Sequence, residues 1–170
     1  EITLLDFIFS QQDRIGNIDY VPYWHWIEND KVKRMKATGP HPPADIVKFQ
    51  PVRIKRTWLN DNDAGGKRLY ANFAKKTGML EKIRHYNPET YRRLMALDSD
   101  FGSRGTLYFY VRDTFGLTDT QLEQVVTNTR LAADILRTSC KTGRLQFDLD
   151  PDIFLATGAT HPQPVDCGNL

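Results

Sequence analysis

The sequence predicts an α+β domain that is mainly helical and carries a small β element near its start. Two stretches between residues 18 and 59 alternate apolar with polar or basic positions, which is typical of strands. From about Gly78 onward, apolar residues recur at the three- and four-residue spacing of helices. At 170 residues the chain is long enough to bury one core, so we expect a single domain spanning residues 1–170.

The chain opens on a short apolar stretch in which Ile2, Leu5 and Phe9 share one helical face, so we expect the last turns of a buried helix. A polar turn follows, and then a hairpin of two strands that reverses at Asn29-Asp30. The proline-rich segment TGPHPPAD is a loop, and VKFQPVRIKRTWL after it forms one or two further strands.

The helical part begins and ends at recognisable signals. Asn87 is a favourable N-cap followed by proline at the first helical position, and a second helix should end near Gly116. The longest helix should start near Thr118 and end before Gly143. We expect the tail from about Arg144 to be mostly loop.

Composition excludes some classes of protein. Hydrophobic residues make up 40% and charged residues 26%, and the net charge of +2 gives no general attraction to nucleic acid or membranes. No apolar run approaches the roughly 20 residues that span a bilayer. We therefore expect a soluble protein, with the cytoplasm favoured and secretion left open. Cys140 and Cys167 are too few for a disulfide scaffold, and the sequence does not say whether they pair.

Two polar turns stand where buried elements end. The first, DRIGN, follows the opening helix, and the second, NDNDAGG, follows the last strand. Each supplies carboxylate and amide oxygens, which are the ligands that magnesium prefers. Turn formation alone also explains Asp, Asn and Gly at these places. The order of helix, polar turn, strands, polar turn and helices favours a site that handles phosphate and metal.

This arrangement resembles the large (C-terminal) lobe of the atypical kinases, a group that includes lipid kinases, HipA-type kinases and secretory-pathway kinases. DFIFSQQDRIGN is similar to their catalytic loop, and TWLNDNDAGG is similar to their second metal motif. The resemblance covers roughly residues 1–66. It implies a kinase-like large lobe in which the hairpin carries the site, and a small lobe that this chain does not include.

The resemblance also implies roles for individual residues. Asp13 would be the catalytic acid/base, with Arg14 beside it. Asp61 would bind metal together with an oxygen from the first turn, either Asn17 or Asp19. In the second turn, Asp63 and Lys67 would contact nucleotide or substrate. The cofactor would be ATP with magnesium or manganese.

The expected reaction is phosphotransfer to a hydroxyl, with a protein favoured over a lipid head group as acceptor. The expected partners are this acceptor and the rest of the same protein, which would supply the small lobe. One alternative is a kinase-like module that has lost catalysis and docks a partner protein. Another is a nucleic-acid-binding domain, suggested by basic strands near Tyr23, Trp24 and Trp26.

Overall fold

The computed structural model describes residues 1–11, 18–59 and 72–168 and, in the strand segments 18–20 and 56–59, the backbone alone. These ranges form a mixed α+β structure with a small antiparallel sheet. Within them, the α-helices are α1 Ile2–Ile8, α2 Phe73–Lys76, α3 Pro88–Ser103, α4 Thr106–Thr114, α5 Asp119–Lys141 and α6 Pro151–Thr157. None of these helices is long and apolar enough to cross a membrane.

The sheet contains β1 Ile18–Glu28, β2 Lys31–Lys36 and β3 Val52–Leu59 in the order β2-β1-β3. Both pairings are antiparallel. The predicted turn is confirmed: Asn29 and Asp30 have φ values of 52° and 55°, as the two central residues of a type I′ hairpin turn require.

The segment VKFQPVRIKRTWL, predicted to form one or two strands, is a strand only in its second part. Val47–Phe49 form a 3₁₀ turn instead of strand, and β3 starts at Val52. Gln50 adopts a left-handed conformation with φ of 52°, and Pro51 has no N–H to donate to a sheet. Phe49 packs instead against the sheet, in a small cluster with Trp24 and Ile46 at its centre, while Val47 stays exposed.

The helical signals are confirmed. The Asn87 side chain accepts hydrogen bonds from the backbone N–H groups of Glu89 and Thr90, over 2.9 and 3.0 Å. Thr118 and Gln121 form a reciprocal capping box at the start of α5. Each such cap contributes about 1 kcal/mol to helix stability.

The main core lies between α1, α3 and α5, where Phe7, Tyr91 and Leu136 are fully buried. The α5 helix contacts both of the others, because its apolar residues recur on one continuous face. This places α5 beneath the end of α1, where the first polar turn begins.

The tail is more ordered than predicted. A second, two-stranded sheet pairs β4 His85–Tyr86 in parallel with β5 Gln146–Phe147, and α6 follows it. Asp150 caps α6 by accepting a hydrogen bond from the N–H of Asp152 over 2.8 Å. Most of the described tail is loop, as expected, but α6 was not foreseen, although Asp150-Pro151 carries the same start signal as Asn87-Pro88.

The two cysteines form a disulfide. Cys140, in the last turn of α5, is bonded to Cys167, and their Cα atoms lie 5.6 Å apart. The bond fastens the end of the tail to the longest helix, across a sequence separation of 27 residues.

Candidate functional site

The two polar turns are joined to neighbouring strand ends. Ile18, the first residue of β1, lies opposite Leu59, the last residue of β3, in the antiparallel register. Asn17 immediately precedes Ile18, and Asp61 follows Leu59 by two residues. The two stretches predicted as polar turns, residues 12–17 and 60–71 and called here the first and second loops, are therefore attached by the chain to the same end of the sheet.

The other ends of the two loops are also held together. The Asn72 side chain, just after the second loop, donates hydrogen bonds to the Ser10 hydroxyl over 3.3 Å and to the carbonyl of Phe7 over 2.6 Å. Its amide oxygen accepts from the N–H of Lys75 over 2.9 Å, which caps α2. Asn72 therefore couples the start of α2 to the end of α1, just before the first loop.

Ser10 sits in a conformation that suits this role. It is fully buried and has a left-handed φ of 54°, directly after the end of α1. The N–H of Gln11 reaches back to the carbonyl of Asp6 over 2.9 Å, which is the long hydrogen bond of a Schellman helix end. This turn directs the Ser10 hydroxyl inward, towards α5.

Two amides of α5 complete the contacts of Ser10. Asn128 donates to the carbonyl of Ile8 and to the Ser10 hydroxyl, both over 3.1 Å. Gln124, one turn earlier, donates from its side-chain nitrogen to the same hydroxyl over 2.5 Å. The Ser10 hydroxyl is therefore the shared acceptor of three side-chain amides, those of Asn72, Asn128 and Gln124.

Most of the residues that the sequence nominated lie outside the described residues. This is so for the residues assigned to the two loops: Asp13, Arg14, Asn17, Asp61, Asp63 and Lys67. Asp19 lies in β1, where its backbone is opposite Trp58 of β3. Among the described residues, no group of three or more His, Cys, Asp or Glu side chains is placed to hold a metal ion. The described residues therefore show what holds the ends of the two loops, and the loop residues themselves stay a prediction.

A second polar feature, the pair of His85 and Asp148, was not predicted from the sequence. The imidazole Nδ1 of His85 is hydrogen-bonded to the carboxylate of Asp148, which is almost fully buried. The ring of His85 also stacks on Phe154, with centroids 3.6 Å apart. The other carboxylate oxygen of Asp148 accepts the N–H of His161 over 3.1 Å. No local pattern predicts this pair, because its members are 63 residues apart in the chain.

His85 lines a cleft of about 820 Å³ between the sheet and the helical part. Arg34 and Lys55 line it on the sheet side, and Tyr86 lies deeper beneath it. The Tyr86 hydroxyl is buried and has no hydrogen-bond partner in the described ranges. Burial, with a smaller effect of the nearby Glu1 carboxylate, raises the pKa of Tyr86 well above its usual 10.0. Glu1, Asp150 and Asp152 also line the cleft, so its walls carry both cations and acids over a floor that stays uncharged.

No family model, curated protein or solved structure matches the chain.

Proposed function

We propose that the chain is the large lobe of a phosphotransferase that moves phosphate from ATP, with magnesium or manganese, to a hydroxyl acceptor. A protein hydroxyl is favoured over a lipid head group. The observation that supports this most is the double anchorage of the two loops. Ile18 and Leu59 are paired at one end, and Ser10 and Asn72 are hydrogen-bonded at the other. A site divided between two loops needs such shared supports.

The residues of the loops suit this chemistry. Asp13 is proposed as the residue that orients or deprotonates the acceptor hydroxyl, with Arg14 next to it. Asp61 and either Asn17 or Asp19 supply the oxygen ligands that magnesium prefers. When bound, magnesium–ATP supplies the phosphoryl group and offsets its negative charge.

The remaining nominated residues complete the proposed site. In the second loop, Asp63 and Lys67 are proposed to contact the nucleotide or the acceptor. The small lobe is proposed to come from the rest of the same protein. The disulfide between Cys140 and Cys167 favours an oxidising compartment over the cytoplasm, because reducing systems there keep most thiols free.

The second candidate is a kinase-like module that docks a partner without catalysis. It is favoured by one specific observation, an apolar group of residues on and just after α4. Tyr110 is 55% exposed and Phe115 is 61% exposed, with ring centres 6.0 Å apart, and Leu107 and Phe109 of α4 are about half exposed. We prefer catalysis because the sequence keeps both carboxylates, Asp13 and Asp61.

A nucleic-acid-binding domain is less well supported. Trp24 is only 6% exposed and Trp26 packs against it in the same apolar cluster. Base stacking requires an open aromatic face, so the two indoles are poorly available for it.

Calorimetry with magnesium and a non-hydrolysable ATP analogue tests the proposal. We expect the full-length protein to bind the nucleotide, and Asp61→Asn to weaken binding at least tenfold, because one metal-binding charge is lost. Glu123→Gln, an exposed acid on α5, serves as the matched control. Tight binding that Asp61→Asn leaves unchanged would place the nucleotide elsewhere.

A further inference from the structure

The cleft between the sheet and the helical part has walls of opposite charge. Arg34 and Lys55 line it on the sheet side. Three acids line it on the helical side: Glu1, Asp150 and Asp152. Neither Arg34 nor Lys55 forms an ion pair with a residue of the described ranges. The two cations are therefore left to solvent or to a ligand.

The acids of the cleft, in contrast, have partners within the chain. The carboxylate of Glu1 accepts the hydroxyl of Thr90 over 2.6 Å, and that of Asp150 accepts the N–H of Asp152 over 2.8 Å. Asp152 also interacts within the chain. The hydroxyl and the N–H are uncharged donors, so Glu1 and Asp150 keep their negative charge and favour a positive group on this side of the cleft.

Arg34 is the cation whose direction the sheet defines. It lies opposite His25 in the strand register, and Tyr23 stands two residues before His25, so Arg34 and Tyr23 share one face of the sheet. Both line the cleft, and the Arg34 guanidinium lies 6.0 Å from the centre of the Tyr23 ring. A guanidinium binds a carboxylate through two parallel N–H bonds. Arg34 can therefore receive a carboxylate in the cleft.

His85 offers a hydrogen-bond acceptor on the opposite wall. Its Nδ1 is hydrogen-bonded to the buried carboxylate of Asp148, and Phe154 covers one face of its ring. The side chain of His85 is 16% exposed, and Nε2 has no partner in the described ranges. With the Nδ1 proton donated to Asp148, the Nε2 of the neutral ring is an acceptor. These contacts fix the ring, so Nε2 is the polar atom that His85 presents to a ligand.

We propose that the cleft binds a small zwitterion, a free amino acid or a short peptide with free ends. Its carboxylate contacts Arg34, and its ammonium group donates to Nε2 of His85 on the side of the acids. A simple anion is repelled by the three acids and a simple cation by Arg34 and Lys55, so a ligand with both charges fits best. The cleft volume of about 820 Å³ is typical of small-molecule sites.

This inference goes beyond the proposed phosphotransfer and does not depend on it. The alternative is that the charges are only solvated and that His85 and Asp148 only stabilise the fold. That alternative predicts no affinity for zwitterions, so a binding measurement separates the two explanations.

The test is a titration of the ¹⁵N-labelled full-length protein, followed by nuclear magnetic resonance. The probes are alanine and trialanine, and the controls are N-acetyl-trialanine, which lacks the ammonium group, and trialanine amide, which lacks the carboxylate. We expect one zwitterion to shift the amide signals of Arg34 and His85 with a dissociation constant of about 1 mM or tighter. Each cap should weaken binding about threefold or more. The tighter of the two zwitterions identifies the source of the ligand.

Variants and a direct signal assign the two contacts. Arg34→Gln should weaken trialanine about threefold and leave trialanine amide unchanged, because the amide has no carboxylate to lose. Lys33→Gln is the matched control, since this neighbouring cation is on the other face of the strand. The Nε2 nitrogen signal of His85 is followed in the wild type, which leaves the buried carboxylate of Asp148 with its partner. It should move with trialanine and not with N-acetyl-trialanine.

Three outcomes overturn the inference. They are no shift of the cleft signals with either zwitterion up to about 20 mM, equal affinity for capped and free trialanine, and equal effects of Arg34→Gln and Lys33→Gln. Zwitterion binding by a protein that transfers no phosphate supports the cleft site and removes the proposed reaction. Phosphate transfer without zwitterion binding does the reverse.

Discussion

The side chain of Asn72 donates a hydrogen bond to the hydroxyl of Ser10 over 3.3 Å, although the two residues are 62 positions apart in the chain. Ser10 lies just before the first loop, and Asn72 lies just after the second. Together with the pairing of Ile18 and Leu59, this contact gives both loops a common support at each end. The proposed site therefore depends on the polar network around Ser10 as much as on the loop residues.

Replacing Ser10 with alanine should destabilise the protein. The change removes one of two acceptors from the partly buried amide of Asn72 and from the buried amide of Asn128, which keep their hydrogen bonds to the carbonyls of Phe7 and Ile8. Loss of these bonds costs about 1 to 3 kcal/mol in the free energy of unfolding. Ser103→Ala is the matched control, since that exposed hydroxyl bonds only to carbonyls of its own helix. Urea denaturation measures both variants. Equal stability of Ser10→Ala and Ser103→Ala would show that the network is not a support.

Local signals predicted much of the fold. Caps and proline positions act within one helical turn, so Asn87 and Thr118 marked the starts of α3 and α5 correctly. The type I′ turn was equally readable, because Asn and Asp tolerate positive φ. The same signal, a capping Asp150 followed by Pro151, stands at the start of α6.

Long-range features could not be predicted in this way. Ser10 gave no special signal, because its contacts to Asn72 and Asn128 depend on how three separate segments pack. The pair of His85 and Asp148 is missed for the same reason. The two loops remain a prediction from sequence, since their order and residue types came from motifs alone.

The disulfide should contribute strongly to stability. Joining Cys140 to Cys167 restricts the unfolded chain, and loop-closure entropy for this separation corresponds to about 3 to 4 kcal/mol. Cys140→Ser/Cys167→Ser, or reductant added to the wild type, should lower the free energy of unfolding by that order. Reductant should not affect the double variant. Two titratable thiols in the unfolded, unreduced wild type would contradict the bond.

Tyr86 should make the protein less stable at alkaline pH. Burial raises the pKa of Tyr86 in the folded state above the unfolded value of about 10, so the folded state holds this proton more tightly. Its contribution is complete below pH 10 and falls by up to about 1.4 kcal/mol per pH unit above it.

The variant Tyr86→Phe tests this dependence. Below pH 10 its stability should equal or exceed that of the wild type, because the hydroxyl is buried without a partner in the described ranges. Above pH 10 its stability should fall less steeply. Tyr110→Phe, at a half-exposed position, is the matched control. Identical alkaline slopes for wild type and Tyr86→Phe would refute the assignment.

Labelled-phosphate transfer by the full-length protein, compared between Asp13→Ala and Asp61→Ala, tests the central claim most directly. Asp13→Ala should keep metal–nucleotide binding and lower turnover about a hundred- to ten-thousandfold, because Asp13 is proposed to act on the acceptor hydroxyl. Asp61→Ala should lose both nucleotide binding and turnover, because its charge is proposed to hold the metal. Wild-type transfer that survives Asp13→Ala undiminished would contradict the account and leave the first loop a structural turn.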